Sequence, residues 1–219
     1  MTHSYGSSSF ITTKDGRRLH YMLKGEGNTT VVFESGMGFS RSTWGLVQPL
    51  VANHTRAVVY DRAGTGRSDP DDAPRTLSRI TDDFSCLLDS LGPGPFILVG
   101  HSWGGPIVRA VAKGHLPRIR GIVLVDQSDE HCDLYFAKLS AMHFAMMRVI
   151  VPFLAWLGLY RLLSSRSGSV QPVDVSMDHR QEDFTVQAAR TMVAESKRLN
   201  LVILLCSVNR KSLLMKSCE

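Results

Sequence analysis

The amino-acid sequence predicts an α/β fold, a doubly wound and mostly parallel sheet with helices on both faces. Short continuous apolar runs, typical of strands buried on both faces, recur at residues 29–36, 55–64, 95–102 and 120–126. Segments with helical periodicity lie between these runs, and such alternation is typical of parallel sheets. With 219 residues, 43% of them hydrophobic, the chain can bury a full core.

The first elements in the chain are predicted to be a polar segment and an antiparallel hairpin. Residues 1–9 are small and polar and are expected to be disordered. Two alternating segments follow within residues 10–25, joined by Asp15-Gly16, a dipeptide typical of tight hairpin turns. The predicted core therefore covers residues 10–128.

Two segments between the predicted strands have helical patterns. Apolar residues of the first recur at spacings that place them on one helical face: Ile80, Phe84, Leu87, Leu88 and Leu91. Gly92-Pro93 follows and is expected to end this helix. The second segment, GGPIVRAVAKG, has Pro106 in its first turn and is also predicted to be a helix.

Residues 129–198 interrupt the alternation, because they contain helical patterns and no strand pattern. We predict that they form a helical lid inserted into the core. The stretch 143–163 is the most apolar of the chain, but Pro152 and Gly158 interrupt it, and a bilayer span needs about 20 apolar residues. A lid over a pocket is the preferred interpretation. A membrane helix, simple core packing and contact of the lid with a membrane surface are the alternatives.

Composition argues against several classes of protein. The net charge of +5 is not concentrated in a run of lysines and arginines, so nucleic-acid binding is not expected. The four cysteines are far apart and have no metal-binding spacing, so no metal site is predicted. The N-terminus lacks the basic and apolar regions of a signal peptide. The expected location is the cytoplasm, a reducing compartment.

The sequence FILVGHSWGGPIV places a Gly-x-Ser-x-Gly motif between a predicted strand and a predicted helix. This strand–turn–helix setting is the one that a nucleophilic serine requires. A tight turn at Ser102 leaves no room for bulky neighbours two positions away, and Gly100 and Gly104 occupy those positions. The backbone N–H of Trp103, at the start of the helix, is placed to stabilise a developing oxyanion.

Residues 10–130 resemble the α/β-hydrolase superfamily, in particular its esterase-like and lipase-like members with a serine nucleophile. GHSWGG resembles the nucleophile elbow of the family, and YDRAGTGRSD (60–69) resembles the loop after its fourth strand. FESGMG (33–38) stands where the family usually has a His-Gly oxyanion motif, with Ser35 in place of the histidine. Because the oxyanion donor is a backbone group, this departure matters little.

The resemblance implies roles for residues of this chain. Ser102 would be the nucleophile, and the N–H groups of Met37 and Trp103 would form the oxyanion hole. No metal or organic cofactor is implied, and the partner would be a small-molecule acyl substrate. A serine at the elbow also disfavours the family's epoxide hydrolases and dehalogenases, whose elbow has an aspartate.

The acid and the base of the triad are less clear from the sequence. In this fold they follow the nucleophile in the order acid, then histidine. Asp126 ends the strand after the elbow helix and is a candidate acid, with helix or turn capping as the alternative. For five histidines we favour packing, capping or surface positions over a role as the base, namely His101, His115, His131, His143 and His179.

The C-terminal region, residues 199–219, is predicted to be a partial core strand followed by an atypical tail. LVILL (201–205) resembles the family's penultimate strand, and no histidine follows it. We therefore expect a chain truncated at the C-terminus, without the family's last strand and helix, and with impaired hydrolysis. The strand edge left unpaired is expected to promote self-association.

The predicted function is hydrolysis of an ester, thioester, lactone or amide through an acyl-enzyme. Two alternatives stay open. One is a non-catalytic binding protein that keeps the pocket and lacks the base. The other is a cofactor-free haloperoxidase or a C–C bond hydrolase, which would use the same parts.

Overall fold

A computed structural model describes residues 3–128, 138–161 and 170–197. Its centre is a six-stranded sheet with the order β1-β2-β4-β3-β5-β6. The pairs β1–β2 and β2–β4 are antiparallel and the other three are parallel, which confirms a mixed, mostly parallel sheet. The strands are Ser7–Thr12 (β1), Arg18–Lys24 (β2), Thr30–Glu34 (β3), Arg56–Tyr60 (β4), Phe96–His101 (β5) and Ile119–Val125 (β6).

Helices flank this sheet, and three of them follow β6. A π-helical turn, His179–Asp183, continues from α5. The helices are Gln48–Val51 (α1), Leu77–Leu91 (α2), Gly104–Gly114 (α3), Lys138–Trp156 (α4), Val173–Asp178 (α5) and Val186–Ser196 (α6). We call α4 to α6, with the π-helical turn, the helical insertion.

Alternate residues of the central strands pack into two separate apolar clusters. Val32 and Val58 face a cluster that includes the apolar residues of α2 and α3. Val31 and Phe33 face the other cluster, which includes Trp44 and Val175 of α5. Because successive side chains of a strand point to opposite faces, both faces of the inner sheet are covered.

The helix α2 confirms the predicted pattern. Its five predicted core residues, Ile80, Phe84, Leu87, Leu88 and Leu91, are all buried. The hydroxyl of Thr76 accepts a hydrogen bond from the Arg79 N–H and caps the first turn. Gly92 follows the last turn with φ of +107°, a backbone conformation in which glycine is favoured.

The prediction that residues 1–9 are disordered is wrong for residues 3–9. Tyr5 is fully buried, and its hydroxyl donates to the carbonyl of Arg41 at 2.9 Å. The Ser4 N–H donates to the Asp174 carboxylate of α5 at 2.6 Å, and β1 begins at Ser7. A single buried aromatic side chain fixes a segment whose other residues are small and polar, so average composition gave no signal.

The last strand of the described sheet, β6, is more exposed than the strand buried on both faces that the sequence predicted. Within the described residues it pairs with β5 alone, and Ile122, Val123, Leu124 and Val125 are each about two-fifths exposed. The strand and tail predicted for residues 199–219, including the self-associating edge at 201–205, lie outside the described residues.

The helical insertion packs mainly through contacts between α4 and α6, where Val151, Ala155 and Ala189 form a small apolar cluster. Phe144 extends from α4 to the main core beside α2 and α3. None of the helices in the described part of the chain has the length and apolarity needed to cross a bilayer.

We expect Tyr5→Ala to lower the free energy of unfolding by about 3 kcal/mol, because it removes a fully buried aromatic ring. Phe10→Ala, in the same hairpin but 44% exposed, is the matched control and should cost about 1 kcal/mol or less. Urea unfolding followed by circular dichroism measures both. Equal costs would show that the N-terminal segment does not contribute to the core.

Candidate active site

The turn between β5 and α3 has the geometry of a nucleophile elbow. Ser102 has φ of +51°, a conformation that non-glycine residues rarely adopt. A Cβ atom on Gly100 would lie 2.6 Å from the Gly104 carbonyl oxygen, and one on Gly104 would lie 2.6 Å from the Glu34 carbonyl oxygen. Both glycines are therefore required by close backbone approach, as the sequence predicted.

Backbone hydrogen bonds hold Ser102 in this strained conformation. Its N–H donates to the carbonyl of Val125 at 3.1 Å, and its carbonyl accepts from the N–H groups of Gly105 and Ser128, each at 3.0 Å. The Ser102 side chain is only partly exposed, and its hydroxyl has no hydrogen-bond partner among the described residues. The elbow thus presents an unengaged hydroxyl on a fixed backbone.

The loop after β3 lies directly against the elbow. A Cβ atom on Gly36 would be 3.4 Å from the Ser102 Cβ and 3.2 Å from the His101 Nδ1. The N–H groups of Met37 and Trp103 have no acceptor within the described part of the chain. Backbone donors of this kind, one next to Ser102 and one on the loop that contacts the elbow, are what an oxyanion hole uses.

The Arg62 guanidinium holds this loop in place. It donates to the carbonyl oxygens of Ser35 and Gly36, each at 2.7 Å. It also pairs with two buried carboxylates, Glu34 at the end of β3 and Glu195 on α6. Sequence analysis gave none of these three charged residues a role. Glu34 and Arg62 lie in apolar runs that were interpreted as strands, and Glu195 lies in the predicted helical lid.

The two carboxylates that share Arg62 titrate in opposite directions. Burial raises the pKa of Glu34 above its ordinary value despite Arg62, and Tyr60 donates a hydrogen bond to it. Burial also acts on Glu195, but Arg62 and Arg75 outweigh it and lower the pKa of that carboxyl. Glu195 is therefore the stronger counter-ion of Arg62.

Asp126, the candidate acid, lies next to the elbow. It has φ of +42°, is exposed, and follows Val125, whose carbonyl accepts from Ser102. Its carboxylate has no hydrogen-bond partner among the described residues. Asp126 is therefore close to the elbow in the structure, but no contact among the described residues defines its role.

No described histidine forms a hydrogen bond with the Ser102 hydroxyl. His101 faces Gly36 and the edge of Trp44, and its Nδ1 has no partner in the described part of the chain. The others lie as follows: His115 bonds to Ser85, His179 bonds to Asp183 and Ser42, His143 is exposed on α4, and His131 is outside the described residues.

A small apolar cavity of about 80 Å³ lies beside Met37. Phe144 and Met147 of α4 and Met192 of α6 line it, together with His143 at its edge. A Cβ atom on Gly38 would lie 2.7 Å from the Met192 side chain, so α6 packs closely on the loop that carries Met37. The helical insertion therefore contacts the loop after β3.

A serine–histidine–aspartate arrangement away from the elbow was not predicted from the sequence. The Ser8 hydroxyl is 2.7 Å from the His20 Nε2, and the His20 Nδ1 is 2.8 Å from the Asp61 carboxylate. Burial raises the pKa of Asp61, but Arg41 and His20 outweigh it and lower that pKa below its ordinary value. Because β2 lies three strand spacings from β5, this histidine is roughly 14 Å from the elbow.

Comparison with known sequences gives a family. A model of the alpha/beta hydrolase family matches residues 31–208. RutD of Caulobacter vibrioides, whose name assigns it provisionally as a carbamate hydrolase, is 36% identical over 120 residues, 53% of this chain and 44% of that protein. The cis-3-alkyl-4-alkyloxetan-2-one decarboxylase of Shewanella oneidensis is 35% identical over 123 residues, 54% of this chain and 38% of that protein. The matched regions span less than half the length of these relatives.

Solved structures share the fold. The haloalkane dehalogenase DatA from Agrobacterium tumefaciens C58 superposes with a TM-score of 0.75, covering 94% of this chain and 76% of that chain. The sequence identity is 17%, so this similarity concerns the fold alone.

We expect Glu195→Gln to lower the free energy of unfolding at pH 7 by about 3 kcal/mol, because it removes the stronger counter-ion of a buried guanidinium. Glu34→Gln is the matched control and should cost less than half as much. Its amide oxygen can accept from Arg62 while its amide N–H donates to the Tyr60 oxygen. Urea unfolding measures both variants.

The pH dependence of these two costs should have opposite signs. The lowered pKa of Glu195 gives stability that is present above the ordinary value of 4.5 and is lost as pH falls below it, so the cost of Glu195→Gln should shrink in acid. The raised pKa of Glu34 makes its ionisation unfavourable as pH rises above 4.5, so the cost of Glu34→Gln should shrink toward neutral pH. Parallel pH profiles would contradict the assignment.

Proposed function

The chain belongs to the alpha/beta hydrolase family, and from that premise we propose that it is a serine hydrolase that cleaves an ester or related acyl bond of a small molecule. The observation that carries the proposal is the strained Ser102 backbone, φ +51°, held between two glycines that admit no side chain. A backbone held in this way exposes a nucleophile at the end of a strand. A carbamate, named for the RutD relative, belongs to the same class of acyl substrates.

In this proposal the Ser102 oxygen bonds to the substrate carbonyl carbon, the acyl bond of the substrate breaks, and the alcohol or amine leaves with the proton of the serine hydroxyl. Water then attacks the acyl-enzyme, which releases the acid and restores the Ser102 hydroxyl. The N–H groups of Met37 and Trp103 donate to the oxyanion that develops on the carbonyl oxygen. Arg62 is a positioning residue, because it holds the carbonyls of Ser35 and Gly36 and so fixes the loop that carries Met37. Neither step requires a cofactor.

We propose that the helical insertion acts as a lid, within the predicted limits 129–198. Support comes from its contacts with the loop after β3 and from the apolar cavity beside Met37. Methionine and phenylalanine side chains line that cavity, which favours an apolar acyl or aromatic group. The proposed location is the cytoplasm, as the four separated cysteines favour.

Hydrolysis is proposed to be impaired in this chain, because the described residues bring no base to Ser102. Asp126 is the proposed acid, and it has no histidine to orient within the described residues. Loss of a triad base typically costs several orders of magnitude in kcat, with residual catalysis from the oxyanion hole. The Ser102 hydroxyl has no hydrogen-bond partner among the described residues, which also favours the second candidate function, a non-catalytic binding protein of this fold.

We expect a fluorophosphonate probe to label Ser102 and no other residue, because in the described part of the chain only the elbow combines a partly exposed hydroxyl with candidate oxyanion donors. Mass spectrometry of the labelled chain locates the adduct. Ser102→Ala should abolish labelling, whereas Ser8→Ala, which removes a serine hydroxyl that is hydrogen-bonded to a histidine, should leave it unchanged. Labelling that survives Ser102→Ala would remove the elbow from the proposed mechanism.

We expect weak hydrolysis of p-nitrophenyl acetate, with a rate that rises little between about pH 6 and 8. A histidine base has an ordinary pKa of about 6.5 and would make the rate climb through that interval. Stopped-flow or plate absorbance measurements give the profile. A histidine-like profile that is lost in His131→Ala, His143→Ala or His179→Ala would identify an internal base and contradict impairment.

A further inference from the structure

A cavity of about 420 Å³ lies between α6 and the loop 71–75 that precedes α2. We call it the polar cavity. Its α6 wall consists of Gln187, Arg190, Thr191, Ala194 and Lys197, whose spacings place them on one helical face. The apolar cavity beside Met37 is lined by Met192 and Val193, which lie on the other face of the same helix. The polar cavity is therefore separate from the cavity beside the elbow loop.

A buried arginine with an unused hydrogen-bond donor lines the polar cavity. Arg75 is 2% exposed, and its Nε–H has no acceptor among the described residues. Its Nη atoms make long contacts, 3.2 Å to Asp71 and 3.3 Å to Glu195. Both carboxylates have a closer guanidinium: Asp71 accepts from Arg79 at 2.7 Å. Glu195 accepts from Arg62 at 3.0 Å. A buried donor without a partner is costly, so an acceptor bound at Arg75 would be stabilising.

The unpaired charges around the polar cavity are mostly positive. Arg190 and Lys197 are exposed on its α6 wall, and neither side chain has an ion pair in the described part of the chain. On the loop wall, Asp72 is also exposed and has no ion pair within the described ranges. The other carboxylate of that wall, Asp71, accepts two hydrogen bonds from Arg79. Two unpaired cations therefore face one unpaired carboxylate, and this balance favours an anionic ligand.

We propose that the polar cavity binds a small molecule through a phosphate or carboxylate group. An oxygen of that group accepts from the Arg75 Nε–H, and Arg190 and Lys197 neutralise its charge; such charge-assisted bonds are among the stronger hydrogen bonds. The volume of about 420 Å³ is within the range of small-molecule sites, roughly 300–1,000 Å³, and far exceeds the space of one water molecule. Ser102 takes no part, so this binding holds whether or not Ser102 is catalytic.

The test is titration of the full chain at low ionic strength with inorganic phosphate and, separately, with citrate as the carboxylate probe. Nuclear magnetic resonance follows the backbone amides of α6 and the Nε–H signal of Arg75. At least one anion should shift these signals to saturation, and the anion that does so identifies the group as phosphate or carboxylate. Glycerol, a neutral probe, should cause no shift. The absence of a saturable shift with both anions at millimolar concentration would overturn the proposal.

The double variant Arg190→Gln/Lys197→Gln removes the two unpaired cations of the α6 wall. Both side chains are exposed and glutamine is a good helix former, so the fold should be kept. We expect the Kd of the anion to rise by about tenfold or more, because two charge-assisted contacts are lost.

Lys113→Gln/Arg180→Gln is the matched control. Both residues are exposed, lie on α3 and on the π-helical turn, and do not line the polar cavity. This variant loses the same net charge and should bind the anion as the wild type does. Equal weakening in the two double variants would show that the overall charge of the protein attracts the anion, and would overturn the assignment of a site.

Asp72→Asn gives a change of the opposite sign. It removes the one unpaired carboxylate of the loop wall, so the Kd of the anion should fall by about twofold or more. A variant that merely disturbed the structure would not bind more tightly. Weaker binding by Asp72→Asn would show that Asp72 itself holds the ligand, and would overturn the assignment of an anionic ligand.

Discussion

The position of the active-site loop depends on one buried cation, the guanidinium of Arg62. A charge without partners costs several kcal/mol when it is removed from water, so the fold must bring acceptors to it. These acceptors come from the end of β3, from the carbonyls of the following loop, and from Glu195 on α6. The loop and the helical insertion therefore cannot move independently, since either movement would leave the charge unpaired.

A second buried cation repeats this arrangement on the neighbouring loop. Arg41 donates to Asp61 after β4 and to Asp178 and Glu182 of the insertion. The end of α5 and the π-helical turn after it are thus joined to the core through polar contacts, whereas α4 is joined to α6 by an apolar cluster and by hydrogen bonds from Arg148 to Ser196. The side of α4 that faces α6 is thus held in place, whereas its other side has no packing partner within residues 3–128, 138–161 and 170–197.

Local patterns were readable from the sequence, and long-range charge pairs were not. The face of α2 and the glycines around Ser102 depend on residues within one helix or one turn, so spacing alone predicted them. Arg62 and Glu195 are 133 residues apart, and no window of sequence connects them. Tyr5 was missed for a related reason, because its burial depends on the carbonyl of Arg41 and not on its polar neighbours. The exposed face of β6 could not be predicted either, because a continuous apolar run gives the composition of a strand and not the number of its neighbours.

The elbow and the base of a serine hydrolase are built by different means. The elbow is defined by backbone contacts: Val125, Gly105 and Ser128 hold Ser102, and two glycines admit the close approach. The strained conformation costs about 1–3 kcal/mol and is kept by these contacts alone. A base, in contrast, is one side chain at one distance. His20 has the chemistry of a base, with a carboxylate on one nitrogen and a serine on the other, yet three strand spacings separate it from the elbow. Within the described residues, the strained backbone at Ser102 is therefore present without a histidine in contact with the serine hydroxyl.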